Sequence, residues 1–492
     1  MRASGILMPI SSLPSPYGIG TMGAAARSFV DFLVKAGQAY WQILPVCPTS
    51  YGDSPYQSFS TFAGNPYFID LDDLAKQGLL LPEEYASIDW ECTPDCINYG
   101  VMYEKRYAVL RCAAKRLLAK PGADYHRFVK ENDFWLPDYA LFMALKDAHN
   151  GACWLEGEEP LRRREPAALA AARQQYADDV AFWQAVQFMF YSQWQALKHY
   201  ANRQEIRIIG DLPIYVALDS VDVWSCPQEF QLDENLLPTE VAGCPPDGFS
   251  ATGQLWGNPL FDWDSMAKTG YAWWVRRIKH MCSTYDVVRI DHFRGFAGYY
   301  AIPYGEATAR NGRWREGPGY ALFAAIKKKL GSPRIIAEDL GFLTEDVTAL
   351  LKQCGYPGMK VLEFAFDPRE PSNYLPHNYT ENCICYTGTH DNETLMQFCE
   401  NLSPESDAYA REYLGIGPDD DLPDAIIDAG MQSKANLFVA QIQDYLRLGA
   451  EARMNEPGTL KPQNWRWRLV PGQLTDALAE KLARLTNAAK RV

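Results

Sequence analysis

The chain has 492 residues, enough to bury a large core and to form either several domains or one heavily decorated one. Hydrophobic residues make up 47% and charged residues 22%, near ordinary globular usage, and no apolar run reaches the length of a membrane span. A net charge of -14 opposes binding to a phosphate backbone, which needs clustered Lys and Arg; this excludes nucleic acid as a partner and favours a neutral substrate.

At the N-terminus, the apolar run from Ile6 to Ile10 is short and broken by Pro9, so it does not read as a signal peptide and a cytoplasmic protein is expected. The 12 cysteines are scattered and should remain thiols there. Cys92/Cys96 and Cys383/Cys385 lack a second spaced pair or a histidine knuckle, so no metal site is expected.

Short apolar, β-branched runs recur along the chain, each ending in polar or Gly/Pro residues, and several lead into helical periodicity. In chain order they are Gly5 to Ile10, Tyr40 to Val46, Arg207 to Tyr215, Val287 to His292, Ile335 to Glu338, Met359 to Phe366, Cys383 to Thr387 and Ala452 to Asn455. These runs predict an α/β fold, a closed (β/α)8 TIM barrel spanning residues 1–492. Residues 47–205 should form an inserted, mostly helical subdomain, and 216–286 a second insertion, both over the C-terminal mouth where sites form. One βα unit is explicit. After Ile335 to Glu338, Thr344 should cap a helix with Glu345 and Asp346 in its first turn, an apolar stripe of Val347, Leu350, Leu351 and Cys354, and Gly355 to end it.

Most acidic residues must be surface solubilisers, so candidate catalytic groups are carboxylates that end apolar strands. Asp291, Glu338 and Asp391 meet that condition. Residues two apart on a strand share a face, so Arg289 and Asp291 should both point to the barrel axis while Val288 and Ile290 pack outward. Arg289 would then keep Asp291 ionised, as a nucleophile requires, while Glu338 near other acids would hold a proton. Two such carboxyls on adjacent strands suit retaining glycoside chemistry, with Asp391 and His390 holding ring hydroxyls.

At these residues the sequence resembles the 4-α-glucanotransferases, or amylomaltases, which are related to the α-amylases. The segments are Arg289-Ile290-Asp291-His292-Phe293-Arg294-Gly295, Ala337-Glu338-Asp339-Leu340-Gly341 and Thr387-Gly388-Thr389-His390-Asp391-Asn392. The resemblance implies Asp291 as nucleophile, Glu338 as acid/base, Asp391 as transition-state stabiliser and Asp211 as polar support. It further implies an early loop with Tyr51, Ser54 and Tyr56, a lid with Asp247, Phe249, Gln254, Trp256 and Asn258, and an opposite wall with Met454, Asn455 and Asn464. Arg289, His292 and His390 complete the implied substrate contacts, on which Tyr51, Tyr56, Phe249 and Trp256 would stack glucose faces. Cys244, Gly248 and Gln463 depart from the family pattern and put lid details in question.

The implied activity needs no cofactor and acts on α-1,4-glucans and maltooligosaccharides. The acids alone do not separate transferase from α-amylase-like hydrolase, nor exclude a non-catalytic glucan binder. Aromatic lid segments that exclude water favour transfer. About 27 residues follow Trp465, room for a helix but not for the C-terminal β-sandwich of the amylases.

Overall fold

β-branched and aromatic residues dominate short runs that are buried on both faces, the pattern of a parallel sheet covered by helices. The computed structural model describes residues 2–50, 52–91, 93–246, 250–341 and 343–491. Its strands are β1 (Ala3–Leu7), β2 (Tyr40–Gln42), β3 (Arg207–Leu212), β4 (Glu240–Cys244), β5 (Gln254–Pro259) and β6 (Val287–Ile290). They continue with β7 (Gly298–Pro303), β8 (Arg313–Glu316), β9 (Ile335–Ala337), β10 (Gly358–Val361), β11 (Cys383–Tyr386) and β12 (Leu437–Gln441).

Eight of these, in the order β10-β11-β12-β1-β2-β3-β6-β9, pair in parallel. The ends meet where the Ala337 N–H donates to the Pro357 carbonyl at 3.0 Å, so the sheet is a nearly closed (β/α)8 barrel. Alternation along each strand fills the barrel with Leu7, Ile209, Val287, Ile336, Val361 and Tyr386, while Val288 and Ile290 turn outward toward the helices. The inward positions that follow at the C-terminal ends are polar: Asp211, Arg289 and Asp291, Glu338, Glu363 and Gln441. The mouth of the barrel is therefore a ring of polar side chains standing on an apolar plug.

The eighth barrel strand is not Ala452 to Asn455. It is Leu437–Gln441, paired to β1 with Leu437 opposite Ala3, while Ala450–Ala452 is a single 3-10 turn beyond it. Leu437-Phe438-Val439-Ala440 is the fully buried apolar run a parallel strand needs, whereas 452–455 lies at the rim. The helix after β9 spans Glu345–Cys354, with Gly355 left-handed at φ 72° as its stop. Thr344 occupies the cap position, but its hydroxyl bonds the Asp346 carboxylate rather than a backbone N–H.

Between β2 and β3 the chain packs helices Tyr107–Ala119, Leu136–Ala148 and Ala177–Arg203 around buried Trp183, Trp194 and Tyr139. The lid strands β4 and β5 join β7 and β8 in an antiparallel sheet of order β5-β4-β7-β8. Half of that sheet comes from beyond β6, a partnership the spacing of apolar runs did not reveal. No helix among the described residues is long and apolar enough to cross a membrane.

One half-buried histidine in this layer has a measurable consequence. His280 is walled by Phe62, Phe134, Trp135 and Tyr191, and desolvation pushes its imidazole down to about 4. It stays neutral in the fold while the unfolded chain takes up a proton below its ordinary value of about 6.5. Its stabilising contribution is complete above that pH and is lost as pH falls toward 4. His280→Gln should therefore flatten the dependence of unfolding free energy on pH between 6.5 and 4 by up to about 1.4 kcal/mol per pH unit. Parallel pH profiles of urea-unfolding stability for the two proteins would contradict this.

Candidate active site

The polar ring opens into a cleft of about 2980 Å³, well beyond the roughly 300–1,000 Å³ of a small-molecule pocket. Asp291, Glu338 and Asp391 all line it, from the ends of β6, β9 and β11. The register explains why the first two face each other. Ile290 pairs with Ala337 across β6 and β9, so the next inward residues on the two strands are Asp291 and Glu338.

Arg289, buried at 3% side-chain exposure, binds two acids with one nitrogen. Its Nη1 donates to Asp211 at 2.8 and 2.7 Å and to Asp291 Oδ1 at 3.0 Å. Burial works against its charge, but Asp211 and Asp291 outweigh it and hold the guanidinium well above its ordinary range. Arg289 is thus shared, and it does not by itself keep Asp291 at low pKa. Burial and the nearby Asp211, Glu338 and Asp391 push the Asp291 carboxyl up, with Arg289 opposing them.

Glu338 is also raised by burial. Both of its oxygens are fixed by backbone donors, Oε2 by the His292 N–H at 2.6 Å and Oε1 by the Leu340 N–H at 2.8 Å. The first of these bonds depends on a left-handed residue, since His292 sits at φ 51° as the chain turns off β6. Burial and Arg294 push the His292 imidazole down to about 3, so it faces the cleft as a neutral hydrogen-bonding group. Trp256 meets its ring edge-on at 4.9 Å, bringing the lid strand β5 over the acid pair.

Across the cleft, Asp391 has 40% of its side chain exposed and accepts from Asn455 Nδ2 at 2.6 Å. Arg453 donates to the Asp391 carbonyl at 3.1 Å. The segment misread as a strand therefore supplies the groups that aim the third acid. Within the turn itself, Asn392 Oδ1 accepts from the Thr389 N–H and hydroxyl, each at 2.9 Å.

The expected substrate contacts divide into two sets. Ser54, Tyr56, Gln254, Trp256, Asn258, Arg289 and His292 line the cleft. Asp211, His390 and Asn464 stand behind its wall, and each has structural partners. Asp211 takes the Tyr56 hydroxyl at 2.6 Å in addition to Arg289; His390 stacks on the Tyr56 ring at 5.1 Å with its Nε2 3.4 Å from Asp391 Oδ2. Asn464 donates to Thr459 O at 3.2 Å and so pins the 456–459 loop. Tyr51, Asp247 and Phe249 lie outside the described residues. Sequence reasoning missed Arg453, which nothing in its local pattern distinguishes, and Glu363, a lone acid closely following the apolar run of β10.

The sequence comparisons agree with this geometry. A family model for 4-alpha-glucanotransferase matches residues 8–474. A 4-alpha-glucanotransferase of Clostridium butyricum is 48% identical over 98% of this chain and 99% of its own, and one of Thermus thermophilus is 45% identical over 100% and 99%. Among solved structures, the amylomaltase of Streptococcus agalactiae in complex with acarbose superposes with a TM-score of 0.97 at 43% identity, covering 100% of both chains. With the barrel, the cleft and the sequence in accord, the chain belongs to the 4-α-glucanotransferase family.

Proposed function

We propose that this enzyme transfers α-1,4-glucan segments between maltooligosaccharides by a retaining double displacement through a glycosyl ester on Asp291. The observation that carries the reading is the pairing of Asp291 and Glu338 on neighbouring strands beside a guanidinium bonded to only one of them. Adjacent strands lie about 4.8 Å apart, close to the roughly 5–5.5 Å carboxyl separation of retaining enzymes. Burial raises both acids, Asp291 the further, and Arg289 opposes that rise on each; its direct bond to Asp291 is the contact that supports a carboxylate nucleophile, and the reading assigns the proton of the pair to Glu338 as the acid.

In the first half-reaction Asp291 attacks the anomeric carbon while Glu338 gives its proton to the departing glycosidic oxygen. The shorter sugar leaves with that proton, and Glu338 becomes a carboxylate. In the second half, Glu338 takes the proton of an incoming sugar hydroxyl, whose oxygen displaces Asp291 and restores the α-linkage. Asp391, aimed by Asn455, binds ring hydroxyls and favours the flattened oxocarbenium-like state. Asp211, His390 and Asn464 hold these groups in place from behind, while Trp256 and Tyr56 offer faces to glucose rings.

Transfer rather than hydrolysis is favoured by the walls of the cleft. The Gln254–Pro259 strand and the 456–460 loop both line it, and walls of this kind shield an ester from water. Given maltotriose and no cofactor, the purified protein should release glucose and build maltooligosaccharides longer than its substrate. Products confined to maltose and glucose would identify a hydrolase instead.

A further inference from the structure

A fourth acid reaches into the barrel mouth without a part in the steps above. Glu363 follows β10 in a single 3-10 turn, Leu362–Phe364, and lines the cleft above the inward-facing Met359 and Val361. Its N–H donates to the Thr387 carbonyl at 3.2 Å, extending the β10–β11 register by one step so that Glu363 stands beside Gly388. On the other side of Gly388, the β11–β12 register brings up Gln441. The middle position holds no side chain because there is no room for one. A Cβ on Gly388 would lie 2.3 Å from Glu363 Oε1 and 3.1 Å from Gln441 Nε2.

The carboxyl of Glu363 therefore extends over the glycine, beneath the turn that carries Asp391. Glu363 lines the cleft, yet its Oε1 is sealed from solvent and finds no hydrogen-bond partner among the described residues. Asn392, which fastens the turn through Thr389, lies within hydrogen-bonding reach of the same side chain. Gln441 Nε2 in turn donates to the Glu393 carbonyl at 3.0 Å, two residues past Asp391.

We infer that Glu363 is a positioning residue for Asp391, keyed into the gap above Gly388 so that the Thr387–Asn392 turn has one setting. The inference rests on the glucanotransferase reading of the cleft. Its surroundings disfavour charge: burial, with Asp444 and Glu393 nearby, pushes the Glu363 carboxyl well above the usual range, against Arg453 and Asn392. The Cys399 thiol faces it from the following helix and brings no opposing charge. A neutral amide of the same shape can replace such a group. An apolar side chain of similar volume cannot, because it takes away the polar contact to Asn392 that adds to the bonds from Thr389.

The test is steady-state transfer from maltotriose by the full chain carrying Glu363→Gln, Glu363→Leu or Glu363→Ala. The Gln variant should stay within about threefold of wild type in kcat, while Leu and Ala lose about tenfold or more with KM little changed. A Leu variant as active as Gln would reduce Glu363 to packing and overturn the inference. So would a folded Gln variant as impaired as Ala, or losses that fall on KM. If the Leu and Ala variants do not fold, the Gln variant decides alone: active supports the inference, folded but inactive overturns it. Absence of transfer by the wild type in this assay would instead sink the reading of the cleft itself.

Discussion

Replacing Asp291 with asparagine should lower kcat at least ~10^4-fold while leaving a folded chain. An amide in that position keeps the shape of the carboxyl and a contact to the Arg289 side chain, but its oxygen cannot form the glycosyl ester. The fold should not suffer. Asp291 is pushed up by burial and by Asp211, Glu338 and Asp391, so in the folded state its charge is held at a cost that the unfolded chain does not bear. A group raised in this way stabilises the fold only at acidic pH and weakens it near neutrality. Asp291→Asn should therefore melt at the same temperature as wild type or higher at pH 7, the trade of stability against activity found where charge is stored for chemistry. Intact-mass analysis after mixing with maltotriose supplies the second reading: wild type trapped early should carry added maltosyl mass, the part left when glucose departs, and the variant none. Activity within about tenfold of wild type would remove Asp291 from its role.

How far the sequence could carry this depends on which signals are local. Arg289 and Asp291 share a face because strand periodicity allows nothing else, and Val288 and Ile290 turn outward as that periodicity requires. Seven of the barrel strands begin within one or two residues of the apolar runs that mark them, though most end earlier, because polar and Gly/Pro residues at the mouth leave the ladder to form the site. The eighth was misplaced because Ala452 to Asn455 carries the family's wall residues, while the true strand, Leu437–Gln441, is a bland apolar run. Longer-range facts were not legible. That one Arg289 nitrogen serves both Asp211 and Asp291 follows from the β3–β6 register, and that Asn455 aims Asp391 follows from a loop contact across 64 residues. Tyr56 reads in sequence as a sugar platform, yet its hydroxyl is committed to Asp211 and its ring to His390, so the same residue shapes the wall and braces the charge network behind it.

That network should also dominate stability at the site. Arg289→Leu should destabilise the chain by about 3–5 kcal/mol, because it strands a carboxylate in the interior rather than removing one favourable contact. Asp211 has no exposed side-chain surface and, among the described residues, would keep only the Tyr56 hydroxyl as donor, while Asp291 still faces the cleft with 26% of its side chain open to water. The cost therefore falls on Asp211 more than on Asp291. Adding Asp211→Asn to Arg289→Leu should return a large part of the lost stability, since the second change removes the charge that the first left uncompensated. Urea unfolding of the wild type, both single variants and the double variant closes the cycle. Strict additivity would show that the two residues act independently and that the bonds of 2.7 and 2.8 Å between them contribute little. Recovery of stability in the double variant should not restore transfer, because Asp291 would then face Glu338 without the cation that favours charge on the nucleophile. Stability and turnover thus separate at one guanidinium: its bond to Asp211 holds the barrel mouth together, and its bond to Asp291 decides which acid of the pair keeps the proton.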